Sequence, residues 1–227
     1  MPPIPEERLE DFKKLEWCND LLADPSIEKI QKRKLLGLPE SGEQMERTRS
    51  VSNTLFTTTL FNDEAVRAFL SMYRRDWREG RAGTNADICS TSSSTTTSSM
   101  ASVSPSSASA SASSPPPAEA LLLVSLGANL DGATQRLHGG ATSTLLDHVM
   151  GTLMSFYFEH TCATAELSVK YKKAVRTPCV LLCRARFVGI KGRWVETVGW
   201  IEDGRGMVYA EGRGAFVLDR KEGEGKL

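Results

Sequence analysis

The chain has 227 residues, room for one domain with appendages or for two small ones. Lysine plus arginine balances aspartate plus glutamate at 28 each, so the basic surplus that a general nucleic-acid binder uses to neutralise phosphates is missing. Five cysteines, an odd number with no C-x-x-C pair, fit reduced thiols in an intracellular protein better than a disulfide framework.

Residues 5–36 read as two helices. Leu9, Phe12, Leu15, Trp17, Leu21 and Leu22 form the apolar side of the first, and Pro25 stops it. A second short helix carries Ile27, Ile30 and Leu35 and ends at Gly37 and Pro39. This amphipathic appendage must pack on something, and none of its residues suggests catalysis. The Thr- and Phe-rich run NTLFTTTLF at 53–61 reads as a strand. Asn62 and Asp63 then cap an expected helix with Ala65, Val66, Phe69, Leu70 and Tyr73 on one side. The tract at 90–118 has no charge, no aromatic residue and little to bury, so it cannot offset its ordering entropy.

The expected organisation is a helical N-terminal extension over 1–85 with one strand at 54–61, a disordered linker over 86–118, a compact domain over 119–218 and a flexible tail over 219–227. The compact block opens with a strand, Ala120–Leu126, and a polar loop holding Asn129, Asp131 and Gly132. A helix follows from about Ala141 to Phe158. Residues 163–171, ATAELSVKY, alternate apolar and polar as a half-buried strand does. Cys179–Ile190, Trp194–Glu202 and Met207–Val217, joined by turns at Lys191–Gly192 and Asp203–Gly206, complete an antiparallel meander. Cys179 and Cys183 fall on one face of their strand and suit core packing. No apolar run reaches the roughly 18 residues needed to span a bilayer. The acidic start, MPPIPEERLEDF, resembles neither a signal peptide nor a mitochondrial transit peptide. The expected location is cytoplasmic.

The helix near Ala141–Phe158 is apolar nearly all round, and Asp147 is the one charged residue between Arg136 and Glu159. A carboxylate within a buried helix is costly to desolvate. It is either paired for structural reasons or a base facing a cleft, and local sequence leaves both open. Gly139 and Gly140 stand at the helix start, where backbone N–H groups lack internal partners and the dipole is positive. They make either a tight turn or an oxyanion hole that another molecule can approach closely. Gly139 and Asp147 lie eight residues apart, about 12 Å along a helix. If they share a site, one chain cannot bring both to the same carbonyl. A two-fold dimer with antiparallel helices can.

The run His138-Gly139-Gly140-Ala-Thr-Ser-Thr-Leu-Leu-Asp147 resembles the H-G-G-x6-D signature of hotdog-fold thioesterases, in the small acyl-CoA thioesterase branch. The resemblance continues through Thr164–Tyr171 and Gly192-Arg193 to about Val217. It implies an α+β hotdog fold, one antiparallel sheet wrapped around a central helix. Residues 54–77 are also similar to the N-terminal extension of some eukaryotic members.

By the resemblance, Gly139 polarises the thioester carbonyl and Asp147 acts as base on water or as nucleophile. His138 orients groups at the turn, and Thr164 positions the carboxylate or water. Between Asp147 and Thr164 the chain carries one residue more than the pattern, which calls for a wider helix–strand turn. An Asn that some members place six residues before the His is Gly132 here, leaving Asn129 or Asp131 for that role. The chemistry implied needs no metal or cofactor. His138, His148 and His160 lack the partners of a zinc site, and His148, about 100° round the helix from Asp147, suits packing. Gly140 and the basic turn of Lys172, Lys173 and Arg176 are candidates for binding substrate, the turn for CoA phosphates, although a solvated turn explains it equally. Met150, Met154, Phe156 and Phe158 are candidate liners of an acyl pocket, or core.

The expected partners are an acyl-CoA or acyl-carrier-protein substrate and a second copy of the chain, with association of two dimers left open. The competing readings are a hotdog dehydratase or hydratase, which places its acid and histidine differently, and a dimer that binds acyl groups or proteins without turnover.

Overall fold

The protein is described from a computed structural model covering residues 7–32, 55–75, 117–158 and 162–219. The expected linker lies outside these residues except for its last two positions, as do the tail beyond Asp219 and His160.

The chain order is α1 (Glu10–Lys13), α2 (Glu16–Leu22), β1 (Lys29–Lys32), a π-helical turn (Leu55–Thr59), β2 (Val66–Arg74) and β3 (Glu119–Leu126). A small hairpin of β4 (Asp131–Ala133) and β5 (Arg136–Leu137) leads into α3 (Gly139–Phe158). The chain then runs through β6 (Cys162–Tyr171), β7 (Cys179–Lys191), β8 (Trp194–Glu202) and β9 (Val208–Leu218). Seven strands make one antiparallel sheet in the order β1-β2-β3-β7-β8-β9-β6. The sheet wraps α3 in the hotdog arrangement.

The turns of the meander follow from local chemistry. Gly192 takes the left-handed conformation, φ 59°, between β7 and β8. Between β8 and β9, the Asp203 carboxylate accepts the N–H groups of Arg205 and Met207 at 2.8 and 3.0 Å. Among the described residues β6, which follows α3, pairs with β9 alone, so it is a ten-residue edge strand.

The sheet is covered on both faces where β2, β3 and β7 run. On the inner face Ala120, Leu122, Val124 and Leu126 pack with Leu146, Val149, Met150 and Leu153 of α3. On the outer face Leu121 and Leu123 join Ala68, Leu70, Met72 and Leu182 under Phe12 and Cys18 of the N-terminal helices. The appendage is also fastened by polar ties. Ser125 donates to Asp11 at 2.6 Å, and Arg74 to Asp24 at 2.7 Å. The Trp17 ring lies so close to Gly204 that a Cβ there would come within 2.2 Å of it.

Four N-terminal expectations differ from the structure. The first helix, expected as one run through Leu22, is broken into α1 and α2 where Leu15 turns extended, φ −111° and ψ 120°. The helix expected around Ile27 and Ile30 is the strand β1, paired with β2 at Tyr73, Met72, Ser71 and Leu70. The strand expected at 54–61 is a π-helical turn over Leu55–Thr59, closed by Leu60 N–H on Leu55 C=O at 2.8 Å. The helix expected after Asn62 is β2, which is buried on both faces and so shows no alternation. Asn62 still caps, but it caps a turn, accepting the N–H groups of Glu64 and Ala65. Among the described residues no helix is long and apolar enough to cross a membrane.

Candidate active site

α3 begins two residues before the expected start, so both glycines are helical. His138 caps it. Its C=O accepts the N–H of Thr142 at 3.0 Å, and its Nδ1 accepts the N–H of Gly140 at 2.8 Å. The imidazole therefore holds Nδ1 unprotonated and works as an acceptor cap. Gly132 admits the ring, since a Cβ there would come within 2.9 Å of His138 Cδ2. With Gly140 engaged, Gly139 is left with a first-position N–H, which no intrahelical acceptor can reach.

Asp147 is half-buried two turns further along, and Thr164 Oγ1 of β6 donates to its Oδ1 at 2.7 Å. A strict alternation over 163–171 would turn Thr164 away from the face that Leu167 and Val169 share. A β-bulge between Thr164 and Glu166 shifts the phase, so Thr164 faces Asp147 while Leu167 and Val169 still pack on the inner core. The wider turn expected before Thr164 falls at 159–161, outside the described residues.

At its other end β6 makes a second tie to α3. Tyr171 donates to the Gly139 C=O at 3.0 Å and lies 2.7 Å from the Ser143 hydroxyl, which is itself 3.1 Å from the same carbonyl. Sequence reasoning missed Tyr171 and Ser143. Their only signal was their place on elements that carry other candidates.

A recess of about 330 Å³ opens beside Gly139, lined by Arg136, Tyr171, Lys172, Lys173 and Tyr209 among others. Two of the expected cations, Lys172 and Lys173, therefore stand here, and Arg136 joins them. Lys172 is also ion-paired with Glu211. Arg176 does not line the recess. Asn129 and Asp131 lie on the opposite side of the helix start. Asp131 is occupied there, accepting from Gln135 N–H at 2.9 Å and from the Thr177 hydroxyl.

His148 points away from the carboxylate and stacks on Phe56, ring centroids 4.0 Å apart, with Phe69 edge-on at 6.0 Å. Burial pushes its pKa down to about 4, so it is a neutral packing group near pH 7. Burial, and then the charge of Asp147, raise the Cys162 thiol to about 11, which rules it out as a thiolate nucleophile near neutrality. Met150, Met154 and Phe156 are buried core, and Phe158 packs against it, so they do not line an open pocket.

Compared with known proteins, residues 134–210 match the thioesterase superfamily. No match was found among curated protein sequences. The solved structures that the chain resembles include a thioesterase superfamily protein at 28% identity, covering 44% of this chain and 48% of that one, with a TM-score of 0.41. The chain thus spans about half the length of that relative. A conserved protein of Pseudomonas aeruginosa is 26% identical over 44% of this chain and 81% of its own, TM-score 0.41. A Bacillus halodurans protein solved with CoA is 24% identical over 46% and 70%, TM-score 0.42. The stretch from just before β5 into β9, which holds the helix start, Asp147 and Thr164, is thus the part of this hotdog fold that matches the thioesterase superfamily.

Proposed function

We propose that the chain hydrolyses acyl thioesters, carried by CoA or by an acyl carrier protein, as a homodimer. The observation that carries this reading is a single helix presenting an N–H without an intrahelical acceptor at Gly139 and a carboxylate oriented by Thr164 at Asp147. The match of residues 134–210 to the thioesterase superfamily supports it.

The thioester carbonyl accepts the Gly139 N–H at the positive end of α3, where the charge that develops on its oxygen is stabilised. Asp147 holds one oxygen toward Thr164 and takes a proton from water with the other. That water oxygen bonds to the carbonyl carbon, the C–S bond breaks, and the thiolate leaves. His138 positions the helix start and does not carry the proton, because its Nδ1 is committed to Gly140. The cations beside Gly139, Arg136, Lys172 and Lys173, receive the phosphates of the carrier.

One protomer cannot bring its own Gly139 and Asp147 to one carbonyl, since they stand about 12 Å apart along the axis. β6 supplies the means to join two. It is a long, exposed edge whose outer N–H and C=O groups are open to another strand. Pairing β6 with its copy across a two-fold axis extends the sheet and lays the two α3 helices side by side. Gly140, Thr144, Asp147 and Gly151 share the helix face left open for that approach, and a Cβ at Gly151 would meet nothing within 4 Å.

The test is thiol release from a panel of short, long and aromatic acyl-CoAs and acyl carrier proteins, with Asp147→Asn alongside. The expected result is hydrolysis that falls by about a hundredfold or more in the variant while the dimer persists in sedimentation. If the wild type cleaves none of these thioesters, the reading fails and an acyl-binding dimer without turnover replaces it.

A further inference from the structure

A second cavity, of about 350 Å³, opens on the other side of the α3 start, among Leu55, Leu60, Val66, Leu130, Ala141 and Leu145. Its wall is mostly apolar, and its volume is that of a small-ligand pocket. Four of the eleven lining residues, Leu55, Phe56, Leu60 and Val66, come from the N-terminal segment, outside the stretch that matches the thioesterase superfamily, and Asn129, Asp131, His138 and Thr144 add the polar part of the wall. The π-helical turn sets that wall. Phe56 also lines the cavity and is locked from behind by the stack on His148 and an edge contact with Phe69. Leu60 is fixed by backbone bonds to Leu55 and Val66. Leu55, by contrast, is 44% exposed, an apolar side chain held open to solvent at a cavity.

The two hollows divide a ligand by chemistry. Gly139 lines the cationic recess, while its neighbour His138 lines the apolar one. A molecule whose carbonyl sits on the Gly139 N–H has positive charge on one side and an apolar chamber on the other. An acyl thioester of a phosphorylated carrier has that same order of parts: phosphates, thioester, hydrocarbon.

We infer that the cavity walled by Leu55, Phe56 and Leu60 is the chamber for the acyl chain, and that this N-terminal turn sets which chain lengths the enzyme accepts. The inference rests on the thioesterase reading for its substrate, but not for its site. The hydrocarbon enters between the turn and the first two turns of α3, where Ala141 and Thr144 present small side chains. Selectivity for the chain is therefore held by residues that lie about 80 positions before the helix they face.

The experiment has two arms on the full chain. In the first, kcat/KM is measured for acetyl-, hexanoyl- and decanoyl-CoA with wild type, Leu55→Trp and Leu60→Ala. Leu55 is exposed, so the tryptophan narrows the chamber without entering the core. The ratio of decanoyl to acetyl turnover is expected to fall by about tenfold or more in Leu55→Trp and to move the other way in Leu60→Ala. Met207→Trp, the same kind of change on the β8–β9 turn, leaves the ratio where it was. In the second arm, decanoate binding is measured by calorimetry, which needs no turnover. Binding to wild type and its loss in Leu55→Trp support the chamber even if no thioester is cleaved, and in that case only the hydrolase reading falls. Active enzyme whose chain-length ratio ignores both Leu55→Trp and Leu60→Ala overturns the chamber and leaves the hydrolase standing. Failure of decanoate to bind the wild type likewise overturns it.

Discussion

The two faces of the sheet are packed by different means. On the inner face α3 lies on an apolar surface, and polar ties to it come from the edge strand β6: Thr164 to Asp147, and Tyr171 to the start of the helix. On the outer face the apolar patch under α1 and α2 is smaller and is bounded by charge. Fully buried Glu119 accepts from Arg186 at 2.7 and 2.9 Å and from Arg184 at 3.3 Å, with Arg74 at 3.6 Å. Arg74 and Arg184 go on to Asp24 and Glu202, so three arginines meet three carboxylates. The difference separates two uses of polar groups. Inner ties orient the candidate catalytic groups, whereas outer ties fasten an appendage that its own short helices could not hold.

The hardest way to break that comparison is to remove the centre of the outer network. Glu119→Gln keeps the shape and leaves three guanidinium groups around a neutral amide. Breaking a buried ion pair from one side costs about 3–5 kcal/mol. The expected outcome is an unfolding free energy lowered by that amount in urea titrations, read as a lower midpoint at an unchanged m-value. A loss under about 1 kcal/mol, the scale of surface pairs, would mean that the outer charges are ornamental and that apolar contact alone holds α1 and α2.

The two-sided burial also explains what could be read from the sequence. β7, β8 and β9 were legible because glycines and an Asx turn punctuate them. The helix start and Asp147 were legible because their spacing is local. β2 was not. VRAFLSMYR is buried on both faces, so its apolar residues lose the two-residue period, and those at 65, 66, 69, 70 and 73 fit a helical template instead. The run LFTTT has the composition of a strand, yet tertiary contacts through Phe56 win and wind it into a π-helical turn. Thr164 could be assigned by resemblance alone, because the bulge that turns it toward Asp147 leaves no mark in an alternating pattern. Arg136, Ser143, Tyr171 and the Leu55–Leu60 wall were hidden for a simpler reason: folding brings them to the site from separate elements.

A smaller effect sharpens the inner side. Half-buried between Phe56 and Phe69, His148 has its pKa pushed by desolvation from 6.5 down to about 4 in the folded chain. Between those values the unfolded chain binds a proton that the native state excludes. Stability is therefore fully present above pH 6.5 and falls as the pH drops toward 4, by up to about 1.4 kcal/mol per pH unit from this residue. His148→Phe keeps a ring in the stack and removes the proton. Its stability should decline less steeply than wild type between pH 6.5 and 4, in parallel urea titrations. Equal slopes would show that the histidine charges as freely when folded as when unfolded.

The finest comparison pits one hydroxyl from each face against the other. Ser125, buried on the outer face, donates to Asp11 at 2.6 Å, and Thr164, exposed at the inner edge, donates to Asp147 at 2.7 Å. Both are hydrogen bonds to a carboxylate, so their geometry does not distinguish them. Their settings do. Ser125→Ala leaves a partly buried Asp11 short of a donor and should cost about 1–2 kcal/mol of stability with kcat/KM unchanged. Thr164→Val removes a bond that water can replace, so stability should move by less than about 0.5 kcal/mol. Its Asp147 is then no longer aimed, and kcat/KM should fall by about ten- to a hundredfold. If instead Thr164→Val destabilises the chain and spares turnover, the bond on the inner face is only another fastening. Asp147 would then have to be oriented by another group.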